Sequence, residues 1–439
     1  SGAGTSGWRT LDEALGTRSW SQRALWALTC AALWVGWEMI VARFLGGFPW
    51  NLLGASQYRI VPLIQIASVT GVYGVSFLLV WSSVSLINAL VAIVRQSQTR
   101  SVWVGELALP LLTAAGIFAV GFHQLRQAPP ATRELKVTLV QPSIPQTMIW
   151  DEGGEMERFT RLMALSEQAL TNETDVLIWP EAAIPKMLRY NRDIAEPILN
   201  LAKSHHVWMI VGSDDAESRH NPKNPDDADF YNSSFLISPD GEIVGSYRKR
   251  SLVIFGEYIP LVRWLPFIKW FTPVTGSFTP GTRAVPFQMD RAKTSVLICF
   301  EDNFPHLVRE YVDDDTDFLV NITNNGWFGE SAAQWQHAAN AIFRAVENGL
   351  PLIRCSNNGL TCWVDAQGRI REIFRDRAGT IYGTGFMTAE IPLLNAGEKR
   401  APTFYNRHGD WFGWSCLAFA GITVLRARKS FVRSHNSSN

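Results

Sequence analysis

The chain has 439 residues, with 40 Lys+Arg set against 40 Asp+Glu and a formal net charge of zero. That balance excludes a polyanion such as nucleic acid as an expected partner, and the length leaves room for more than one folded unit. The five cysteines (Cys30, Cys299, Cys355, Cys362 and Cys416) are odd in number and form no CxxC, which argues against a disulfide scaffold or a zinc site. Neither a metal nor a cofactor is expected.

Four stretches, residues 24–42, 69–94, 102–122 and 411–425, are apolar for about the ~20 residues that a spanning helix needs. Residues 60–66 are also apolar and read as an interfacial segment. Glu38 in the first span needs a partner or a place near the headgroups. Arg18 and Arg23 precede the first span, Arg95 and Arg100 join the second and third, and Arg426, Arg428, Lys429 and Arg433 follow the fourth. Basic residues stay in the cytoplasm, so four crossings put residues 123–410 on the extracytoplasmic face. The chain opens Ser-Gly-Ala-Gly without an initiator Met; an N-terminally shortened sequence lacking further spans is the expectation.

From Leu135 the pattern changes to short β runs alternating with amphipathic helices. Strands are predicted over 136–140, 176–179, 207–211, 295–299, 318–322, 352–355 and 361–364. Helices are predicted over 155–170 and 336–347, where apolar residues recur at helical spacing. Asp240-Gly241 between 234–237 and 242–247 signals a hairpin. Mixed elements over some 270 residues read as one α/β domain. The predicted layout is a membrane domain over 1–130, an extracytoplasmic catalytic domain over 131–405, and a final helix with a basic tail over 406–439.

Cys299 closes an apolar run and precedes Phe300-Glu301-Asp302; the end of a strand is where α/β folds present reactive groups. A thiol there attacks only as thiolate and needs a base or a cation beside it. Glu181 lies between Pro180 and Pro185 on a loop just past a strand, a suitable place for a positioned general base. Lys249 follows the hairpin and Glu257 sits in Phe-Gly-Glu-Tyr. Taken singly, each has an ordinary reading: a buried small hydrophobe, a loop carboxylate, a solvated charge run. The other four cysteines keep that reading.

Their order changes the weighing. Trp-Pro-Glu181, Tyr-Arg-Lys249, Phe-Gly-Glu257 and Cys299-Phe-Glu301 together resemble the Glu-Lys-Cys triad of the nitrilase (carbon–nitrogen hydrolase) superfamily. With apolar spans on both sides, the chain looks like the bacterial apolipoprotein N-acyltransferase family. Gly47-Phe-Pro-Trp50, Gln141-Pro, Trp150, Asn324-Asn-Gly-Trp-Phe-Gly329, Trp335-Gln-His337 and Arg354-Cys-Ser-Asn-Asn-Gly359 extend the match from about Trp34 to Arg428. Three places depart from it. Ser251-Leu-Val-Ile254 stands for the usual His-Leu-Val-Pro, Phe300 for a Tyr, and Asn325 for an Asp.

The resemblance implies a nitrilase-like α-β-β-α sandwich inserted between transmembrane helices of a multi-pass protein in the bacterial inner membrane. It implies Glu181, Lys249 and Cys299 as the triad, with Asn232, Glu257, Phe300, Glu301 and Trp150 in support. It also implies transfer of a phospholipid acyl chain, through a thioester on Cys299, to the N-terminal amine of a diacylglyceryl apolipoprotein. Trp264, Phe267, Trp270 and Phe271, dense in aromatics between Glu257 and Cys299, read as an arm or lid dipping into the bilayer. The chain is expected to act as a monomer. The rival readings are a membrane-anchored amidase, in which water replaces the amine, and a binding protein that keeps only the fold.

Overall fold

The computed structural model describes residues 19–95, 101–126, 133–145, 152–219, 228–259, 267, 278–395 and 397–436. The chain divides into two compact units, residues 1–128 with 407–439, and residues 129–406.

In the first unit, helices α1 (Trp20–Val41), α2 (Val72–Arg95) and α3 (Ser101–Arg126) are each long and apolar enough to cross a membrane. The fourth expected span lies in helix α7 (Trp411–Asn436), whose apolar part ends at Arg426. Sixteen residues rise about 24 Å, less than a typical ~30 Å hydrocarbon core. Arg23, counted above as a flanking charge, is buried in the first turns of α1 with its Nε 2.6 Å from Glu106 Oε1 on α3. Glu38 also has partners: it accepts from the Trp34 indole at 3.0 Å and from the Leu53 amide at 2.7 Å. Each charge inside the apolar helices is thus met by an opposite charge or a donor, as low dielectric demands.

The second unit holds two six-stranded sheets among its described residues. In the first, strands β1 (Arg133–Gln141), β2 (Val176–Ile178) and β3 (Trp208–Ser218) run parallel, and β4 (Ala228–Ile237) and β5 (Ile243–Arg248) extend them antiparallel. In the second, β7 (Lys293–Ile298), β8 (Phe318–Thr323) and β9 (Leu352–Ser356) run parallel, flanked by β6 (Pro286–Gln288), β10 (Cys362–Val364) and β11 (Ile370–Ile373). The last strand, β12 (Gly385–Leu393), returns to pair with β1 along nine residues. Every residue of β8 is buried, as a central parallel strand covered on both faces requires.

Cys355 on β9 points its thiol at the carbonyls of Val140 and Ile178, both at 3.4 Å, so the two sheets face one another. Helices α4 (Glu155–Ala169) and α5 (Arg192–His205) cover the outside of the first sheet. Their apolar faces (Phe159, Leu162, Ile194, Ile198, Leu201) close over Leu177, Trp179, Met209 and Val211. Helix α6 (Ala333–Asn348) belongs to the second sheet's half and is buried along most of its length. This is the expected nitrilase-like sandwich of helices and two sheets.

Most predicted strands and helices occur, with β3 and β4 longer than read. Helix α5 and strands β6, β11 and β12 went unread. Pro197 inside α5 masks its start, and β11 and β12 carry polar residues at several positions.

Trp179, fully buried, donates its indole N–H to Ser166 Oγ on α4 at 2.9 Å. A Ser166→Val substitution leaves that donor unpaired. It is expected to cost about 1–3 kcal/mol, read as a lower denaturation midpoint of the purified protein with no new cleavage or aggregation below it.

Candidate active site

The second unit gathers the singled-out residues at the ends of β2, β5 and β7. Cys299 is the first residue past β7, and its φ of 51° places a non-glycine residue in the left-handed region, a strain of about 1–3 kcal/mol that surrounding contacts must hold. Those contacts are visible. Asn321 Nδ2 on β8 donates to the Cys299 carbonyl at 3.0 Å. One residue earlier, the Ile298 amide donates to Glu301 Oε2 at 2.8 Å. Glu301 Oε1 accepts from the Tyr247 hydroxyl and the Arg250 amide, both at 2.7 Å, and from the Ser251 amide at 3.1 Å. Glu301 thereby fastens the end of β7 to the end of β5, the strand that leads into Lys249.

Glu181 lies in the turn after β2, held by a rigid Pro180 and followed by Ala182 at φ 49°. Strand β3 lets this turn approach because it has glycine there. A side chain at Gly212 would collide with the Pro180 carbonyl and lie 2.8 Å from the Glu181 Cα. The Glu181 carboxylate accepts from Lys249 Nζ at 3.2 Å and Asn232 Nδ2 at 2.8 Å through Oε1, and from the Asn324 amide at 2.9 Å through Oε2. Glu257 mirrors it. Its Oε1 accepts from Lys249 Nζ at 2.8 Å and Asn232 Nδ2 at 2.9 Å, and its Oε2 from the Val253 amide at 2.8 Å.

Lys249 is buried, and burial alone would discharge it. The neighbouring Glu181 and Glu257 carboxylates win and hold its pKa well above the usual lysine value. The Cys299 thiol is pushed up to about 12, first by burial and then by the charge of Glu181; Lys249 and a hydrogen bond with Thr323 oppose this only in part. At neutral pH the sulfur therefore rests as a thiol. It becomes a nucleophile only if a base removes its proton as it attacks. Glu181, whose charge acts on both Cys299 and Lys249, is the candidate base.

Behind the cysteine lies a buried polar chain. Asp302 accepts from Arg354 and lies 2.9 Å from His337 Nε2, while His337 Nδ1 is 2.9 Å from Asn325 Oδ1. Burial works against the Asp302 charge, but His337 and Arg354 hold its pKa below the ordinary value. Burial and the Arg354 charge lower the His337 pKa.

The structure thus brings Glu181, Lys249, Glu257, Asn232, Glu301 and Cys299 together. Phe300 is buried and meets Phe304 edge-to-face at 5.2 Å. Trp150, Trp264, Trp270 and Phe271 lie outside the described residues; Phe267 is described, about half exposed. Sequence reasoning gave no role to Asn324, Asp302, His337 or Arg354. Asn324, His337 and Arg354 lay in quoted motifs, and Asp302 follows Glu301 directly, so the signal was present without a chemistry attached.

Residues 136–394 match the carbon–nitrogen hydrolase family, and residues 6–85 match the apolipoprotein N-acyltransferase N-terminal domain. An apolipoprotein N-acyltransferase of Geobacter metallireducens is 37% identical over 91% of this chain and 74% of its own length. Those of Rickettsia prowazekii (34% identical, 77% of this chain and 65% of the relative) and Chlorobaculum tepidum (30%, 90% and 75%) are similar over comparable spans. Among solved structures, a Nesterenkonia amidase of the nitrilase superfamily covers 64% of this chain and 96% of its own at 14% identity, with a TM-score of 0.44. The chain belongs to the apolipoprotein N-acyltransferase family and carries a carbon–nitrogen hydrolase domain.

Proposed function

We propose that the chain is a membrane-bound N-acyltransferase that moves a fatty acyl chain from a phospholipid, through a thioester on Cys299, to the N-terminal amine of a diacylglyceryl apolipoprotein. The observation that carries the chemistry is one ammonium, Lys249, shared by a buried and a part-buried carboxylate next to a strained cysteine at a strand end.

In the first half-reaction Glu181 takes the thiol proton as sulfur attacks the sn-1 ester carbonyl. Lys249, with backbone N–H groups near Cys299, faces the developing oxyanion; such donors are worth on the order of a few kcal/mol. Glu181 returns the proton to the departing lysophospholipid. In the second, the acceptor amine attacks the thioester carbon and Cys299 leaves. Glu257 holds Lys249 and Asn232 in place. The three long apolar helices, with a fourth crossing at α7, anchor the enzyme in the inner membrane. The domain of residues 131–405 works on the extracytoplasmic side, where the aromatic stretch around Phe267 meets lipid. One chain supplies every group named, so a monomer suffices. Membrane-spanning helices in the same chain favour lipid substrates over the small amide that an amidase would take.

Detergent-solubilised protein incubated with phospholipid bearing a tagged sn-1 chain is expected to carry the tag on Cys299. The adduct is sensitive to hydroxylamine, is absent in Cys299→Ala, and moves to a diacylglyceryl-cysteine peptide added later. An adduct lost only to water favours the amidase. No adduct at all on folded protein rejects both covalent readings.

Glu257→Gln keeps the shape of the side chain and removes the charge opposite Lys249. We expect kcat to fall on the order of 10²-fold, with KM for the phospholipid little changed. A rise in KM at constant kcat would instead assign Glu257 to substrate binding.

A further inference from the structure

Strand β3 carries two consecutive aspartates, and they face opposite ways. Asp215 lies on the face where Arg189 Nη1 (3.3 Å) and Arg248 Nη2 (3.6 Å) neutralise it. Asp214 lies on the other face, the one on which Gly212 meets the Glu181 turn, because residues i and i+2 of a strand share a face. Directly opposite Asp214 on β4 is Asn232, the amide that bridges Glu181 and Glu257. Cross-strand partners have Cβ atoms about 4.5–5.5 Å apart, so Asp214 sits at the rim of the catalytic carboxylates. It is half-buried, and among the described residues no side chain donates to its carboxylate; the Ser213 hydroxyl donates to its backbone carbonyl.

The charges here do not balance. Glu181, Glu257 and Asp214 supply three carboxylates, and Lys249 is the only cation bonded to any of them among the described residues. A carboxylate withdrawn from water with no counter-charge is costly, and a cation arriving with substrate would remove that cost. Of the two substrates in the proposed reaction, the acceptor brings one. Its α-amine has an ordinary pKa of about 8 and arrives mostly as ammonium.

We propose that Asp214 receives the ammonium of the acceptor and takes its first proton, delivering a neutral amine to the thioester. This rests on the acyl-transfer reading above. The protons then balance. The ammonium gives one proton to Asp214, and the neutral nitrogen forms the C–N bond. Glu181 takes the second proton from the tetrahedral adduct and hands it to the Cys299 sulfur as the C–S bond breaks. Asp214, only half-buried, returns its proton to water. No oxidant or further reactant is required. Glu181 alone would have to shed the first proton before taking the second, since the leaving sulfur consumes only one of the two that the ammonium loses.

The electrostatics suit this role. Burial, together with the charges of Glu181 and Glu257, raises Asp214 to about 7, close to the working pH at which a proton acceptor functions well.

The test separates the two half-reactions. The full chain in detergent is loaded from tagged phospholipid, then mixed with a diacylglyceryl-cysteine peptide bearing a free α-amine. In Asp214→Asn the transfer rate at pH 7 is expected to fall on the order of 10²-fold, and by at least about tenfold more than the loading rate. The deficit narrows above about pH 8, where the amine discharges without help, and Asp214→Glu recovers part of the rate. Equal transfer by Asp214→Asn and wild type at pH 7 overturns the proposal, as does an equal loss in both half-reactions. Wild-type protein that never forms the thioester overturns the acyl-transfer reading itself, and does so without any variant.

Folding of the variant has its own readout. A carboxyl raised in the native state makes the native protein bind more protons than the unfolded chain between about pH 4 and 7, so stability is lost as pH rises through that window. Asp214→Asn removes this liability, so it should melt higher than wild type at pH 8 and about equally at pH 4. A variant less stable at both pH values would mark Asp214 as a structural residue and also overturn the proposal.

Discussion

A single buried ammonium organises the catalytic unit. Lys249 Nζ lies 3.2 Å from Glu181 and 2.8 Å from Glu257, and Asn232 spans the same two oxygens. Burying any one of these charges alone would cost several kcal/mol, and a pair repays that only when its remaining hydrogen bonds are satisfied. Here backbone amides complete the set, Asn324 for Glu181 and Val253 for Glu257. Removing one member strands the others, so the cluster is organised as a unit. That interdependence fixes where the ends of β2, β5 and β8 and the middle of β4 must lie, and with them the space around Cys299.

The topology that delivers these strand ends is a duplication. The order β12-β1-β2-β3-β4-β5 and the order β6-β7-β8-β9-β10-β11 each place an antiparallel edge strand beside three parallel strands, then two more antiparallel strands. Each half contributes a candidate catalytic residue from its parallel core: Glu181 follows β2 of one sheet, Cys299 follows β7 of the other. Carboxyl ends of parallel strands are where α/β folds present reactive groups. Stacking two such sheets face to face brings two sets of ends to one place.

Much of this was legible in the sequence, and the pattern of success is physical. Buried parallel strands such as 176–178 read as unbroken apolar runs, and Asp240-Gly241 declared its hairpin through a glycine that sits at φ 78°. Glu181 and Cys299 each follow an apolar run and Lys249 follows the hairpin, and the three could be named together only because the order of their motifs resembles a known family's. Strand β12 could not, because its partner β1 lies some 250 residues away and its surface is mixed. Asp302, His337 and Arg354 form one chain of contacts across three separate segments; only the fold joins them. Asp214 was overlooked because the strand was read as ending at residue 211, which left its face undefined.

Backbone strain shows where the fold's stability has been directed. Among the described residues six non-glycine positions adopt positive φ: Leu45, Ser143, Ala182, His206, Phe255 and Cys299. His206 is a helix C-cap, where the left-handed conformation is usual. Of the five others, four lie in the catalytic unit. Ser143 comes just after β1, Ala182 after Glu181, Phe255 two residues before Glu257, and Cys299 is the nucleophile candidate itself. Three of the four are braced nearby. The Ser143 amide donates to Asn357 O, Phe255 pairs through its amide with Tyr258 O, and Asn321 holds the Cys299 carbonyl. Relaxed turns would cost less but would let these side chains wander by an ångström, enough to lose much of the benefit of prealigned groups. A thiol raised to about 12 has no reserve of thiolate to compensate for misalignment. It depends on a base held in position at the moment of attack, and the strained, over-determined turns are what hold it there.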